Sequence, residues 1–190
     1  MSTILRASNM NTTDKTRNEH HPESASRREL EAFWDLIKDI KIAMLTTRRP
    51  DGHLRSRAMA TQKRAAGADL WFVTLDSSPK LEEIASDPHV NLSYYRDKNS
   101  EWVSVSGLAT ISRDRAKIKE LYEADWKMWF GEEGDPRHGT PDDPRMVLIG
   151  VTIHAAEFLE VNKPRPVIMF ELVKGWLTGA PVEIGKMHKI

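Results

Sequence analysis

The chain of 190 residues contains no cysteine. Without thiols it can form neither a disulfide framework nor a cysteine-based zinc site, and it has no thiolate nucleophile. We therefore expect a reducing, cytoplasmic location. Its 28 basic and 28 acidic residues cancel, so the chain lacks the excess of positive charge that typifies proteins that bind a nucleic-acid backbone. We expect no nucleic-acid partner.

Long apolar runs are also absent. The longest fall far short of the ~18 residues that a membrane-spanning helix needs, and the N-terminus lacks the apolar core of a signal peptide. We expect no membrane partner. A hydrophobic content of 39% fits one domain. We assign residues 1–25 to a disordered tail, residues 26–178 to that domain and residues 179–190 to a C-terminal tail.

The arrays typical of hydrolases and metalloenzymes are missing as well. No Ser/His/Asp set or HExxH motif occurs, which disfavours hydrolysis. His20 and His21 have no third ligand. His138 lies near Asp135, Asp142 and Asp143 at irregular spacing, which is more typical of a solvated acidic loop. We predict no metal site.

The stretch Leu70 to Ile84 is the most informative part of the sequence. An apolar run, Leu70–Leu75, is typical of a strand, and Pro79 follows a short polar turn and opens a helix. Ser78 is placed to cap that helix with its hydroxyl, and Lys80 adds a positive charge beside the helix N-terminus. This turn can bind a phosphate. The alternative is an ordinary capped helix with a solvated lysine.

An arginine-bearing strand precedes this turn. Period-two alternation over residues 54–61 places Arg55, Arg57, Met59 and Thr61 on one face and small residues on the other. We expect the small face to pack and the arginine face to need an anionic partner. A hairpin between this strand and Leu70–Leu75 would bring Arg57 towards the phosphate turn.

Four motifs follow one another in a recognisable order: Arg57-x-Met59, Trp71 to Thr74, Ser77 to Lys80, and Trp102 to Gly107. In this order and spacing, over about residues 30–161, the chain resembles the pyridoxamine 5'-phosphate oxidase-like, FMN-binding split barrels of the general stress protein 26 type. The resemblance implies a mainly β fold with flanking helices, in which an antiparallel sheet forms a split β-barrel.

The resemblance also implies FMN as the cofactor, bound at the interface of a homodimer. The region from Trp126 to Phe130 would then reach the flavin of the partner subunit, and Ser78 and Lys80 would hold the phosphate. The implied cofactor-binding residues are Arg57, Met59, Ala60, Thr61, Val73, Thr74, Ser77, Ser78, Lys80, Trp102 and Trp129.

The chain also departs from the family pattern. Pro79 replaces a basic residue of the oxidase phosphate motif, and the C-terminus lacks the Trp/Arg substrate motif, so we do not expect oxidation of vitamin B6. The resemblance implies an FMN-dependent oxidoreductase acting on a small molecule, with a stress-related role. The alternatives are a flavin-storing or flavin-sensing protein without turnover, and a barrel that binds deazaflavin or haem.

Local patterns predict the remaining elements. Ser26 and Glu29 form a capping box for a first helix, and Ser112 is predicted to cap a helix over residues 113–124. Further strands are expected over residues 42–47, 90–95, 102–111, 146–153 and 155–161 in three successive hairpin-like pairings, and Pro166 opens a last helix through about Trp176. Residues 1–25 and 131–145 lack periodic apolar positions, so we expect both to be mobile.

Overall fold

A computed structural model describes residues 25–130, 134–161, 163–179, 181–182 and 184–190. The predictions for the N-terminal tail, including His20 and His21, thus lie almost wholly outside the described residues. The helices are α1 Arg27–Ile40, α2 Pro79–Ser86, α3 Arg115–Leu121, α4 Lys127–Phe130 and α5 Arg165–Thr178, with a 3-10 turn at Ala124–Trp126. The strands are β1 Ile42–Arg48, β2 Leu54–Ala60, β3 Leu70–Leu75, β4 His89–Arg96, β5 Glu101–Ser112, β6 Met146–Glu160 and β7 Lys186–Lys189.

Helix α1 begins at the predicted capping box. The backbone N–H of Glu29 donates to the Ser26 hydroxyl, and the Glu29 carboxylate accepts from the backbone N–H of Ser26 at 2.9 Å. Phe33, Leu36 and Ile37 form the buried face of the helix and pack into the main core. Helix α1 therefore covers the apolar side of the sheet.

The strands form one antiparallel sheet in the order β2-β1-β4-β5-β6-β3, with β7 paired to β6. The sheet curls into a half-barrel. Its two end strands, β2 and β3, contact each other, and just beyond β2 the backbone N–H of Gln62 donates to the carbonyl of Trp71 at 2.8 Å. The predicted split-barrel architecture with flanking helices is confirmed.

The predicted hairpin between β2 and β3 is wrong. Strand β3 pairs along its whole length with β6, from Leu70 opposite Val151 to Leu75 opposite Met146. Both strands are apolar on two faces, and side by side they separate two cores. Apart from Leu54, strand β2 is polar or small on its outer face, and it lies at the end of the sheet, where solvent can reach it.

The main core lies inside the curled sheet and beneath α1. A second core lies on the other side of β3 and β6, under α3 and α4. Alternate residues of β3 face the two cores, so Phe72 belongs to the main core and Trp71 to the second. The second core consists of Trp71, Ile118, Leu121, Trp126, Phe130, Met146 and Leu148.

Helix α3 begins later than predicted. Asp114 caps it, because its carboxylate accepts from the backbone N–H groups of Ala116 and Lys117. Ser112 instead accepts from the backbone N–H of Asp114. A carboxylate binds two N–H groups at once and interacts favourably with the helix dipole, which explains why it takes the position that we assigned to the hydroxyl.

Strand β6 is also longer than predicted, because the two expected strands are one continuous strand of 15 residues. The irregularity lies in its partner, where the register shifts between Ser106 and Gly107 of β5. At the C-terminus, Lys186–Lys189 form an edge strand rather than part of a tail. The extra pairing arises because β6 continues beyond the end of β3 and offers an open edge there.

The described part of the loop before β6, residues 134–145, folds around Asp143. This side chain is fully buried, so the expectation of a solvated acidic loop is wrong at this position, while the mobility of the loop stays a prediction. Within the described ranges no group of His, Asp and Glu side chains is arranged to hold a metal ion. None of the helices in those ranges is both long and apolar enough to cross a membrane.

Candidate cofactor-binding site

Lys80 is the charged residue at the start of α2, and it is buried with only 8% of its surface exposed. Its ammonium group donates to the hydroxyls of Thr74 and Ser78, both at 2.8 Å. The Ser78 hydroxyl therefore accepts from Lys80 and makes no side-chain capping bond to α2. The predicted cap is wrong because a charged donor competes better for the hydroxyl than a backbone N–H does.

The position of Lys80 is costly for a positive charge. Burial lowers its pKa below the ordinary value, and repulsion from Arg57 lowers it further, while attraction to Glu83 acts in the opposite direction. An ammonium group carries three donors, and the two hydroxyls account for two of them. An anionic ligand beside a buried ammonium group with neutral hydrogen-bond partners would offset the cost of burying the positive charge.

Arg57 lies on the inner face of β2, close to the same turn. Its guanidinium donates to the carboxylate of Glu83 on α2 and to the hydroxyl of Thr47 on β1, each at 2.9 Å. The Thr47 hydroxyl contacts the same carboxylate at 2.6 Å. Arg57 thus approaches the phosphate turn through α2, and not through the hairpin that the sequence predicted.

Glu83 is the buried carboxylate that organises this cluster. Hydrogen bonds from Arg57 and Thr47 and the nearby charge of Arg55 lower its pKa, although burial acts to raise it. Arg55, Arg57 and Lys80 together with Glu83 carry a net charge of two positive units. A phosphomonoester carries about −1.5 to −2 at neutral pH, so the charges match.

Sequence reasoning missed Glu83 and Thr47. It also reversed the two faces of β2, because the arginine face points inwards and the small face, including Ser56 and Ala58, is exposed. A usable signal was present: Glu83 lies three residues after Lys80 and therefore on the same side of α2.

An open cavity of about 300 Å³ adjoins the cluster, between the β1–β2 turn and the start of α2. Its walls carry both signs of charge, with Arg55 and Glu83 at the side that faces the cluster. The residues that line it are Arg49, Pro50, Asp51, Arg55, Pro79, Glu82 and Glu83.

Two other predicted residues lie further along the inner face of β2. Met59 packs against the main core. Thr61, just beyond the strand, forms a hydrogen bond of 2.9 Å with the hydroxyl of Tyr94. Burial raises the pKa of Tyr94 to about 12, so this phenol stays neutral. Met59 and Thr61 therefore extend the row of inward-facing side chains that starts at Arg57.

The remaining predicted residues are spread over other surfaces. Val73 faces the second core, opposite Thr74, and Ser77 is exposed in the turn. Ala60 is exposed, and Trp102 is half-buried on β5 beside Tyr95. Trp129 on α4 is 76% exposed. The structure therefore joins Thr74, Ser78 and Lys80 directly and sets Arg57 nearby, but one chain does not gather the others around them.

Comparison with known proteins adds to this geometry. The family described as pyridoxamine 5'-phosphate oxidase like matches residues 28–183. The protein bli-3 of Neurospora crassa is 36% identical over 153 residues, which cover 79% of this chain and 73% of that protein. The chain belongs to the pyridoxamine 5'-phosphate oxidase-like family. The predicted family is therefore confirmed.

Solved structures support the fold. A protein described as a general stress protein 26 from Jannaschia sp. CCS1 superposes with a TM-score of 0.65 at 22% identity, covering 85% of this chain and 96% of that chain. A pyridoxamine 5'-phosphate oxidase-related, FMN-binding protein from Nostoc punctiforme PCC 73102 gives 0.57 at 19% identity, covering 74% and 88%. At these identities the likeness concerns the fold.

Proposed function

We propose that this protein binds FMN, with the phosphate held by Arg57, Ser78 and Lys80 and by the turn at Ser77. The observation that carries this proposal is the burial of the Lys80 ammonium between two hydroxyls, with Arg57 close enough to lower its pKa. Guanidinium, ammonium and hydroxyl groups are suitable phosphate donors. The Nostoc relative, which shares this fold, is described as FMN-binding.

From this phosphate site, the isoalloxazine ring would extend along the inward-facing side chains of β2. Met59, Thr61 and Thr74 lie on the side of the barrel to which Arg57 points. Val73, Ala60, Trp102 and Trp129 lie elsewhere on the same chain. Their separation supports a site that a second copy completes, so we propose a homodimer with FMN at the interface.

The proposed activity is that of an FMN-dependent oxidoreductase acting on a small molecule in the cytoplasm, with a role in stress. Bound FMN would supply the redox chemistry, so the residues of this chain need only bind and orient it. One observation favours a second candidate, a flavin-storing or flavin-sensing protein without turnover. The predicted ring contacts Met59, Val73 and Trp102 carry no titratable group that could move a proton.

Paired titrations of FMN and riboflavin test the phosphate anchor, because riboflavin has the same ring without the phosphate. Each charge-assisted contact contributes about 1.5–3 kcal/mol, so Arg57→Ala or Lys80→Ala should weaken FMN binding about 10- to 100-fold. Riboflavin binding should hardly change. Lys119→Ala, at an exposed lysine of α3, is the matched control and should bind FMN as the wild type does.

An equal loss of both ligands would mean a damaged fold, and unchanged FMN binding would place the phosphate elsewhere. The absorption spectrum of the purified protein separates flavin from deazaflavin and haem. Reduction of the FMN-loaded protein by a nicotinamide donor, followed by reoxidation with an added acceptor, supports the oxidoreductase. Slow reduction by every donor tried, with FMN tightly bound, supports storage or sensing.

A further inference from the structure

Between β6 and β7 the chain leaves the sheet and returns to the same place. Glu160, the last residue of β6, lies opposite Lys186, the first residue of β7. The intervening residues 161–185, which we call the apolar arm, carry α5. The apolar arm is thus a helical insertion between two paired strands, and both of its ends meet at the same place on the sheet.

The base of this arm is tightly built. The buried imidazole of His188 lies between the carboxylates of Glu29 and Glu160, at 3.0 and 3.2 Å. The Glu101 carboxylate accepts from the backbone N–H of Val161 at 3.1 Å. A side chain at Gly185 would collide with the carbonyl oxygen of Glu160. Such a base holds the arm in a defined position rather than as a loose tail.

Helix α5 itself has no buried side chain among residues 166–178. Phe170 is 66% exposed and Trp176 is 85% exposed. The exposed large apolar residues of this helix are Val167, Met169, Phe170, Leu172, Val173, Trp176 and Leu177. Their exposed fractions correspond to on the order of 700 Å² of surface, which a protein rarely leaves in water without a binding role.

The outer face of the sheet carries a second uncovered apolar surface. One row of side chains crosses six strands. The register sets Tyr95 opposite Trp102, Trp102 opposite Leu159 and Leu159 opposite Met187. Continuing the pairing of Met44 with Ser93 by two residues aligns Tyr95 with Ile42, whose partner on β2 is Ala60. We call this the outer row; from β2 to β7 it consists of Ala60, Ile42, Tyr95, Trp102, Leu159 and Met187. Tyr95 is 61% exposed, and Ile42 and Met187 are about half exposed.

We propose that α5 of one copy packs on the outer row of a second copy, and the reverse, so that the two apolar arms are exchanged across a two-fold axis. The dimensions agree: a helix of 14 residues is ~21 Å long, and six strands span ~24 Å. Each copy contributes one side of α5 and one outer row, and together these surfaces are comparable in size with the ~800 Å² per partner of a stable interface. This inference rests on the proposed homodimer and adds a contact to it. Because Ala60 and Trp102 of the outer row are also predicted flavin contacts, the arm of the partner would lie beside the flavin on this row.

A second copy explains the two surfaces better than a lipid surface does. Helices that lie on membranes have a basic polar face opposite the apolar one. The sequence of α5 contains two basic residues, Arg165 and Lys174, and one acidic residue, Glu171, and the exposed apolar residues surround the helix. A lipid surface would also leave the outer row uncovered. Mutual packing in a symmetric dimer covers the outer row and one side of α5 at once.

Because the chain has no cysteine, engineered cysteines give a clean test. One copy carries Trp176→Cys and a differently tagged copy carries Tyr95→Cys. After mixing and mild oxidation, a disulfide should link the two different copies, since the proposal places α5 of one copy over the outer row of the other, which contains Tyr95. The matched control pairs Trp176→Cys with Glu120→Cys, which is exposed on α3, a helix that packs on the second core and contributes no residue to the outer row.

A second measurement uses sedimentation of the full chain. Phe170→Glu with Trp176→Glu should weaken dimerisation at least 10-fold with unchanged circular dichroism, because neither side chain is buried in the chain itself. Lys174→Glu, on the same helix, should leave the dimer intact. Equal linking to Tyr95→Cys and Glu120→Cys, or full dimerisation of the double variant, would overturn the proposal, as would binding of wild-type monomers to phosphatidylcholine vesicles.

The FMN titration keeps this result separate from the proposed function. A dimer that binds FMN without linking through Trp176→Cys contradicts the arm exchange and leaves the proposed function standing. Linked copies that bind no flavin contradict the function and leave the arm exchange standing.

Discussion

The guanidinium of Arg57 and the carboxylate of Glu83 form an ion pair of 2.9 Å that joins the end strand of the sheet to α2. Glu83 is buried and Arg57 is partly covered, so solvent screens this pair less than a surface pair. The pair holds Arg57 towards the turn where Lys80 lies. A carboxylate therefore orients the cations that we assign to the FMN phosphate.

Glu83→Gln should lower stability and change its dependence on pH. The pKa of Glu83 is held below its ordinary value of 4.5, so the contribution of the carboxylate is fully present above about pH 4.5 and is lost as the pH falls through the lowered pKa. At pH 7 the variant should lose about 1–3 kcal/mol of unfolding free energy. The difference from the wild type should shrink in acid.

Thermal unfolding from pH 7 to pH 3 measures this difference. Glu82→Gln is the matched control, since Glu82 is the exposed neighbour of Glu83 on the same helix. A Glu83→Gln variant whose deficit stays constant over this pH range would show that the ion pair is not the source of the effect.

Lys80→Met should stabilise the protein in the absence of ligand while weakening FMN. Burial lowers the pKa of Lys80, which means that folding disfavours its charged form. The cost is fully present below the lowered pKa and is relieved as the pH rises towards 10.5, the ordinary value. An apolar side chain of similar length avoids this cost.

We expect an increase in Tm of a few degrees at pH 7, where ~1 kcal/mol corresponds to ~2–4 °C for a chain of this size. The gain over the wild type should diminish at high pH. Lys119→Met, at an exposed lysine, should change Tm little. A lower Tm for Lys80→Met would mean that the bonds to Thr74 and Ser78 outweigh the burial cost, and Lys80 would then be a structural residue.

The sequence predicts much of the fold because most of its strands carry local signals. The period-two pattern and the turn sequence Arg49–Gly52 identify the hairpin of β1 and β2, and Pro79 identifies the start of α2. The pairing of β3 with β6 has no such signal. Its partners are more than 70 residues apart, and the choice depends on which strand can be buried on both faces.

The sequence predicted the cationic residues of the candidate site, Arg57 and Lys80, but not its carboxylate, Glu83. Period-two alternation over residues 54–61 placed Arg57 on a strand face that needed an anionic partner. The predicted start of α2 placed Lys80 beside a helix N-terminus. Glu83 resembled any solvated helix residue in the sequence, because its burial depends on how α2 packs against β1. The Ser78 hydroxyl was misassigned for a related reason, since its partner is set by the conformation of the Lys80 side chain.

Asp143→Ala should destabilise the region around α4. Burial raises the pKa of this carboxyl, but hydrogen bonds from the Arg145 side chain and from the backbone of Gly139 and Arg145 outweigh it and lower the pKa to about 2. Arg145 also donates to the carbonyl of Phe130, the last residue of α4. Removing the carboxylate takes away the charged group that lies closest to the partly buried Arg145 guanidinium, at a cost of about 1.5–3 kcal/mol.

The acid dependence follows from the same pKa. The contribution of Asp143 is present above about pH 4 and is lost as the pH falls towards 2, so the variant and the wild type should converge in strong acid. Chemical denaturation at several pH values measures this. Asp142→Ala, whose exposed carboxylate pairs with exposed Lys119, is the control and should cost less than ~1 kcal/mol.

Gly107→Ala should disturb the junction of β5 and β6. The register shift occurs beside this residue, and an added Cβ would collide with the carbonyl oxygen of Thr152 and lie 2.9 Å from a Val151 methyl group. Backbone atoms in the middle of a sheet cannot move aside as a flexible side chain would. We expect a loss of about 1–3 kcal/mol of unfolding free energy, as for other overpacked sites.

Ser106→Ala is the control for this substitution, because Ser106 lies at the same bulge with its side chain exposed, and we expect less than ~0.5 kcal/mol. Urea unfolding of both variants gives the comparison. The bulge sets the register between β5 and β6, the two longest strands. Backbone hydrogen exchange in Gly107→Ala should therefore increase first in these two strands. Wild-type stability in Gly107→Ala would mean that the strands can separate to admit a methyl group, and the glycine would then have no steric role.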